Sequence, residues 1–105
     1  MGSRRPAAWS REARDDLAYI WKYYRDMAGR YTADNIVRDI HAAVQMIREF
    51  PLIGRSRDKL RQGLRSIVAR PYVVFYSLQN EIPEIVRILD SRRDIDDIFS
   101  GISKA

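Results

Sequence analysis

The segment from Pro51 to Asp94 reads PLIGRSRDKLRQGLRSIVARPYVVFYSLQNEIPEIVRILDSRRD, and its pattern decides the fold. Residues 63–69, 72–78 and 82–90 are rich in β-branched and aromatic side chains, a composition typical of strands. Arg70-Pro71 separates the first two runs, and a short polar turn separates the last two. Because strands joined by such short loops must run antiparallel, the segment predicts a small antiparallel sheet.

A helix is predicted upstream of the sheet, from about residue 11 to residue 28. Ser10 is a suitable N-cap, because its hydroxyl oxygen can accept a hydrogen bond from a backbone N–H of the first turn. Gly29 is the expected C-terminal stop, since glycine readily leaves the helical conformation. An apolar stripe at helical spacing predicts the face that packs on the core; its members are Ala13, Leu17, Ile20, Trp21 and Tyr24.

A second helix is predicted between Thr32, its expected N-cap, and Phe50-Pro51, which ends the apolar spacing. The short connection predicts an antiparallel helix hairpin. Residues 5–9 are expected to form a short first strand, and Asp94 to cap a short last helix. The 105 residues therefore predict a single α+β domain, 1–105, with the order β-α-α-β-β-β, a helix hairpin packed on a small antiparallel sheet, and a short C-terminal helix.

Both faces of the predicted sheet are apolar, which raises the question of what covers the second face. Alternation separates Val74, Tyr76 and Leu78 from Val73 and Phe75 in one strand, and Val86 and Ile88 from Ile85 and Leu89 in the next. One face can pack on the helix hairpin. The other face is a partner surface, a homodimer interface, or a surface covered by the C-terminal segment 94–102, and the pattern leaves these alternatives open.

The charge of the chain indicates an acidic partner. The formal net charge is +5, with a sequence pI near 9.9, and nearly all basic residues are arginines. Arginine suits planar contacts with carboxylate or phosphate. Cysteine is absent, and neither a signal-peptide core nor a membrane span is found in the sequence, so a cytoplasmic protein is expected. A basic rim of the sheet is predicted from Arg55, Arg57, Arg61, Arg65, Arg70, Arg92 and Arg93.

Catalytic residues are scarce. The single histidine, His41, stands on the second helix without a second histidine or a cysteine, which argues against a metal site and favours a surface role. No cofactor or metal is expected, since no glycine-rich phosphate loop is present. A metal-free ribonuclease would have to use Arg65, Tyr76, Arg87 and Asp90. The favoured alternative is that Arg65 and Arg87 are structural strand arginines paired with Asp90 or Glu84.

Several ordered motifs resemble one family of bacterial proteins. WSREARDDL at residues 9–17 is followed by IWKYY, by FPLIGR at 50–55 and by GLRS at 63–66. YVVFY at 72–76 and RILDSRRD at 87–94 complete the order. Over about residues 7–95 this pattern is similar to the ParE-type toxins of the RelE/ParE superfamily, which are encoded beside an antitoxin in type II toxin–antitoxin modules.

The resemblance implies the fold already predicted, and it implies partners. A ParD-like or related antitoxin is expected to wrap the toxin with its C-terminal segment, and operator DNA to be bound only through the antitoxin. ParE-type members poison DNA gyrase, whereas RelE-type members cleave mRNA on the ribosome. Asp90 stands where many nuclease members of the superfamily have histidine, which favours the gyrase branch.

The leading hypothesis is therefore a toxin that inhibits DNA gyrase without chemistry of its own. A RelE-like ribosome-dependent mRNA endonuclease is the alternative, and a binding module that has lost its toxicity is a third. The apolar strands and the first helix are expected to meet the antitoxin; the predicted contacts are Leu17, Trp21, Val74, Tyr76, Val86 and Ile88.

Overall fold

The computed structural model describes residues 6–79 and 81–104 of the chain. Within these residues, five strands form one sheet: β1 (Ala8–Trp9), β2 (Arg55–Ser56), β3 (Leu64–Ala69), β4 (Tyr72–Gln79) and β5 (Ile82–Asp90). The same described part of the chain has three helices: α1 (Arg11–Ala28), α2 (Arg30–Glu49) and α3 (Ile95–Lys104). The predicted α+β fold, with a helix hairpin on a small sheet and a short last helix, is confirmed. Residue 5 of the predicted first strand and Asn80 of the predicted turn lie outside the described residues.

The sheet has the order β1-β5-β4-β3-β2. The pairs β3–β4 and β4–β5 are antiparallel as predicted, and β2–β3 is antiparallel too, but β1 pairs with β5 in parallel, so the sheet is mixed. The sequence prediction missed β2, because two polar residues in a basic loop carry no strand pattern. This strand pairs Arg55 with Ser66 and extends the sheet beyond β3.

One capping residue begins the helix hairpin, and a single glycine between the two helices reverses the chain. Ser10 caps α1 as predicted, since its hydroxyl oxygen accepts the Ala13 N–H at 2.9 Å. Gly29 has φ +94°, a conformation that side chains disfavour, and it lets the chain reverse at once. The second helix consequently begins at Arg30, and Thr32 lies inside it, so the prediction of Thr32 as its N-cap is wrong.

The sheet buries both faces. One face packs on the helix hairpin with Tyr72, Val74, Tyr76, Ile85 and Ile88. The other face is covered by α3, whose Phe99 is 1% exposed and packs with Leu64, Val73, Phe75, Val86 and Leu89. Of the alternatives for this face, the structure shows cover by the C-terminal segment. Asp94 accepts the Asp97 N–H at 3.1 Å and caps the N-terminus of α3, as predicted.

A β-bulge in β5 changes the predicted alternation. Phe75 pairs with Arg87 and the next residue, Tyr76, pairs with Ile85, so Val86 has no opposite partner. Such an extra residue reverses the faces on its two sides. Val86 therefore packs under α3 while Ile88 faces the helices, and the prediction that these two share a face is wrong.

Candidate functional site

An extensive apolar depression lies along the helix hairpin. Trp9 of β1, Leu17 and Trp21 of α1, and Val37 and His41 of α2 line a cavity of about 790 Å³. A second depression of about 550 Å³ shares Trp9 and His41 and continues along α2. We call the two together the hairpin groove. Leu17 and Trp21, two of the predicted antitoxin contacts, lie in it.

Neighbouring side chains hold the aromatic walls of the groove in place. The indole N–H of Trp21 donates to Asp34 Oδ1 at 2.9 Å, and the guanidinium of Arg25 lies 5.2 Å from the Trp21 ring. The Trp9 and His41 rings are 5.8 Å apart. His41 is exposed on α2, in agreement with the surface role that the sequence favoured. The groove is therefore a preformed surface, which lowers the entropic cost of binding.

The charge of the groove is positive. Its lining includes Arg14, Arg38 and Arg48, and the described residues that line it include no carboxylate. Arg14 donates to the backbone oxygen of Trp9 at 2.9 Å, and Arg38 to Asn35 at 2.7 Å, so both guanidinium groups keep further donors. Apolar walls with a basic border suit an amphipathic segment that carries acidic side chains.

The remaining predicted antitoxin contacts lie in the interior of the chain. Val74 and Tyr76 are 0% exposed and Ile88 is 2% exposed, all under the helix hairpin. Val86 is buried beneath α3. The prediction that these four form an accessible surface is wrong, because the helices and α3 together cover both faces of the sheet.

Two residues of the hypothetical nuclease set hold a loop. The Tyr76 hydroxyl donates to the Pro51 carbonyl at 2.7 Å and accepts the Gly54 N–H at 2.8 Å. Arg65 donates to the Gly54 carbonyl at 2.6 Å and to that of Leu52 at 3.3 Å. Gly54 is required there, since an added Cβ would lie 2.5 Å from the Tyr76 hydroxyl. Both side chains therefore clamp the loop at residues 51–54.

The other two residues of that set are also engaged within the chain. Arg87 binds Asp16 of α1 through two hydrogen bonds, at 2.8 and 3.0 Å, and Asp90 binds Arg92 at 2.9 and 2.6 Å. The prediction of structural strand arginines agrees with these contacts. The predicted partners, Asp90 and Glu84, are wrong. Arg87 pairs with Asp16 of α1 instead, and Arg65 binds backbone carbonyls.

The pKa shifts of this set disfavour proton transfer near neutral pH. Burial raises the pKa of Tyr76, so its hydroxyl stays protonated. Hydrogen bonds from Arg92 lower the pKa of Asp90 to about 2, which makes its carboxylate a very weak base. The hydrogen bonds that Arg87 donates to the Asp16 carboxylate raise the pKa of Arg87, so the guanidinium remains charged. The described residues also contain no cluster of three or more histidines and carboxylates fit to hold a metal ion.

The predicted basic rim is divided among separate regions. Arg57 lies 5.2 Å from the Phe75 ring and Arg61 lies 5.6 Å from the Phe99 ring, both on the α3 side. Arg65 is part of the loop clamp, while Arg92 and Arg93 stand near tyrosines of α1. Arg55 and Arg70 are exposed at the β2 edge and in the turn before β4. The seven arginines of the predicted rim therefore do not form one patch, because their positions in β2, in β3 and in the loops and turns distribute them over separate regions of the surface.

The sequence did not predict several residues of the hairpin groove, nor two exposed tyrosines on α1. Trp9, Val37 and His41 join Leu17 and Trp21 in the groove only because β1 and α2 meet there. Tyr19 and Tyr23 are exposed on α1, 70% and 45% respectively, and their spacing of four residues was the available signal. In the part of the chain that the structure describes, no helix is both long and apolar enough to span a membrane.

Several known proteins are similar to this chain in sequence and fold. The family model described as "ParE toxin of type II toxin-antitoxin system, parDE" matches residues 7–95. Toxin ParE1 of Caulobacter vibrioides is 35% identical over 85 residues, which cover 81% of this chain and 88% of that toxin. Toxin ParE1 of Mycobacterium tuberculosis is 32% identical over 85 residues, which cover 80% of this chain and 87% of that one. A solved chain titled "Chromosomal ParDE TA system from P. aeruginosa" aligns with a TM-score of 0.72 and 25% identity, covering 83% of this chain and 96% of that chain.

Proposed function

Because the chain belongs to the ParE toxin family of type II toxin–antitoxin systems, we propose that it inhibits DNA gyrase and that a cognate ParD-like antitoxin neutralises it. The inhibition is by binding, without chemistry of the toxin's own, in the cytoplasm. No cofactor or metal takes part.

The observation that carries the proposal is that the four residues a nuclease would use are all bound to other groups of the same chain. Tyr76 and Arg65 hold the loop at 51–54, Arg87 holds Asp16, and Asp90 holds Arg92. A general base needs a free lone pair and a pKa near the working pH, and neither Tyr76 nor Asp90 has both. A protein target that is bound rather than cleaved fits this arrangement better than mRNA.

The hairpin groove supports the second part of the proposal. It is apolar along its walls, basic along its border and walled by fixed aromatic rings, so it fits one face of an amphipathic acidic segment. The antitoxin's C-terminal part is the segment proposed to occupy it. Recognition of operator DNA would then belong to the rest of the antitoxin, through which the toxin reaches the operator.

A supercoiling assay tests the target. Relaxed plasmid, ATP and purified gyrase are incubated with micromolar toxin, with and without a molar excess of antitoxin. Loss of supercoiling that the antitoxin restores supports the proposal. The same toxin is added to a programmed ribosome translation reaction, and full-length mRNA is expected there. Normal supercoiling together with cleaved mRNA would establish the nuclease alternative instead.

A further inference from the structure

A second pocket lies away from the hairpin groove, between α1 and the end of β5. Its cavity has a volume of about 490 Å³. The residues that matter for recognition are Tyr19, Tyr23 and Tyr24 of α1, Tyr72 of β4, and Arg92 and Arg93 after β5. We call it the tyrosine pocket. Its size falls within the range of sites for small ligands.

The four tyrosines form one continuous wall. Tyr24 meets Tyr72 edge to face at 6.4 Å, and Tyr23 meets Tyr24 edge to face at 5.2 Å. Tyr72 is 7% exposed and anchors the wall in the core. Tyr19 and Tyr23 stack on each other at 6.4 Å with an angle of 24°, yet they remain 70% and 45% exposed. Two nearly parallel and exposed rings thus stand side by side at the mouth of the pocket.

The charges of the pocket leave positive groups available. Its two carboxylates are each bound within the chain, Asp16 by Arg87 and Asp90 by Arg92. Arg92 uses Nε and Nη2 for that contact, so Nη1 keeps its donors, and its side chain is 80% exposed. Within the described residues, the Arg93 guanidinium makes no hydrogen bond or ion pair. A cationic ligand would therefore meet two arginines, whereas an anion would meet free donors.

We propose that the tyrosine pocket binds a nucleobase with its adjacent phosphate, with the base stacked on Tyr19 and Tyr23 and the phosphate bound by Arg92 and Arg93. Flat aromatic faces beside arginines are how proteins hold unpaired bases without reading their sequence. A single-stranded segment of nucleic acid and a free nucleotide both have this chemistry. The site is independent of the hairpin groove and of gyrase inhibition.

Direct binding tests the pocket. The whole chain is titrated into fluorescein-labelled oligo(dT) of ten nucleotides, and fluorescence anisotropy is followed at several salt concentrations. Tyr19→Ala and Tyr23→Ala are each expected to weaken binding at least about five-fold, because one base stacked on one aromatic ring contributes that much or more. Tyr31→Ala is the matched control, since Tyr31 is 80% exposed and lies outside the pocket lining.

The phosphate contact has its own test. Replacing Arg93 by alanine is expected to reduce the slope of log K against log salt by about 0.7, the value for one phosphate of a single strand. Arg55→Ala, at the opposite edge of the sheet, controls for the general positive charge and keeps the pocket intact. An equal change in slope for Arg55→Ala and Arg93→Ala would overturn the assignment of the phosphate to Arg93.

Competition separates the two sources of the ligand. If unlabelled dTMP displaces the oligonucleotide at a similar concentration of nucleotide, the pocket takes a free nucleotide; if only oligonucleotide competes, it takes a strand. Both results support the site when the tyrosine variants weaken binding. Absence of binding for both probes overturns the proposal, as does binding that Tyr19→Ala and Tyr23→Ala leave unchanged. Circular dichroism of each variant confirms that the exposed substitutions preserve the fold.

Discussion

Arg87 on the last long strand and Asp16 on the first helix form a two-point ion pair, with Nε–Oδ2 at 2.8 Å and Nη2–Oδ1 at 3.0 Å. The same Asp16 carboxylate accepts the backbone N–H of Ile88 at 2.9 Å. The Asp16 side chain thus neutralises the Arg87 guanidinium and also accepts a backbone N–H of β5, just beyond the β-bulge of that strand. The contact joins the helix hairpin to β5, the strand that carries Arg87, which a nuclease would need.

Replacing Arg87 by alanine is expected to destabilise the chain. The two side chains are only 18% and 15% exposed, so Asp16 would keep a poorly solvated charge without its partner. We expect a loss of about 3 kcal/mol in the free energy of unfolding, measured by urea titration; this is the lower end of the range for broken buried pairs, because both side chains are partly exposed. Arg55→Ala, an exposed strand arginine, should change it little. An Arg87→Ala chain with unchanged stability but lost mRNA cleavage would point to the ribonuclease instead.

Tyr76→Phe tests the loop clamp. The substitution keeps the buried ring but removes the hydroxyl that joins Pro51 and Gly54, so a buried N–H and a carbonyl lose their partner. A loss of about 1–3 kcal/mol in the free energy of unfolding is expected. Tyr31→Phe, whose ring is 80% exposed, is the matched control. Equal stability of the Tyr76→Phe and wild-type chains in thermal and urea unfolding would show that the clamp contributes nothing.

Local patterns predicted the elements, whereas the sites depend on distant contacts. The bounds of β5 followed from its run of apolar residues. The span of α1 followed from its apolar stripe and from Ser10 and Gly29, each of which acts within one helical turn. The bulge at Val86 has no such signal, because it arises from the pairing of β5 with β4, and it redirects side chains on both sides. The hairpin groove likewise exists only after β1 pairs with β5 and places Trp9 beside His41.

Substitutions in the core and in the groove should have opposite consequences. Val74→Asp buries a charge at a 0% exposed position, so we expect unfolding of the free chain, seen as loss of its melting transition. Trp21→Ala should keep that transition and weaken the complex with antitoxin at least about ten-fold, since aromatic anchors dominate interfaces. Calorimetric titration measures the affinity. Unchanged affinity of a folded Trp21→Ala chain would exclude the hairpin groove as the antitoxin site.

The Asp90–Arg92 pair predicts an effect of acid on stability. The pKa of Asp90 is about 2 in the folded chain, below its ordinary value of 3.8, because Arg92 hydrogen-bonds to the carboxylate. A lowered folded pKa stabilises the chain above about pH 4, and this stabilisation is lost as the pH falls through 2. Carboxyl NMR should show Asp90 titrating near 2, and Arg92→Ala should raise that pKa towards 3.8. A wild-type Asp90 that titrates near its ordinary value contradicts the pair.

Phe99→Ala tests whether α3 is part of the core. Phe99 is 1% exposed, its ring lies 5.0 Å from that of Phe75, and it covers a sheet face that otherwise meets solvent. Truncating such a side chain should cost about 3–5 kcal/mol and leave a cavity. Ser100→Ala, at an exposed neighbouring position, serves as the control. The same variant also tests where the antitoxin binds. Because Phe99 lies on the side away from the helix hairpin, a Phe99→Ala chain that remains folded should still bind antitoxin in the hairpin groove. Lost antitoxin affinity in a folded Phe99→Ala chain, with stability unchanged, would instead place the partner on α3.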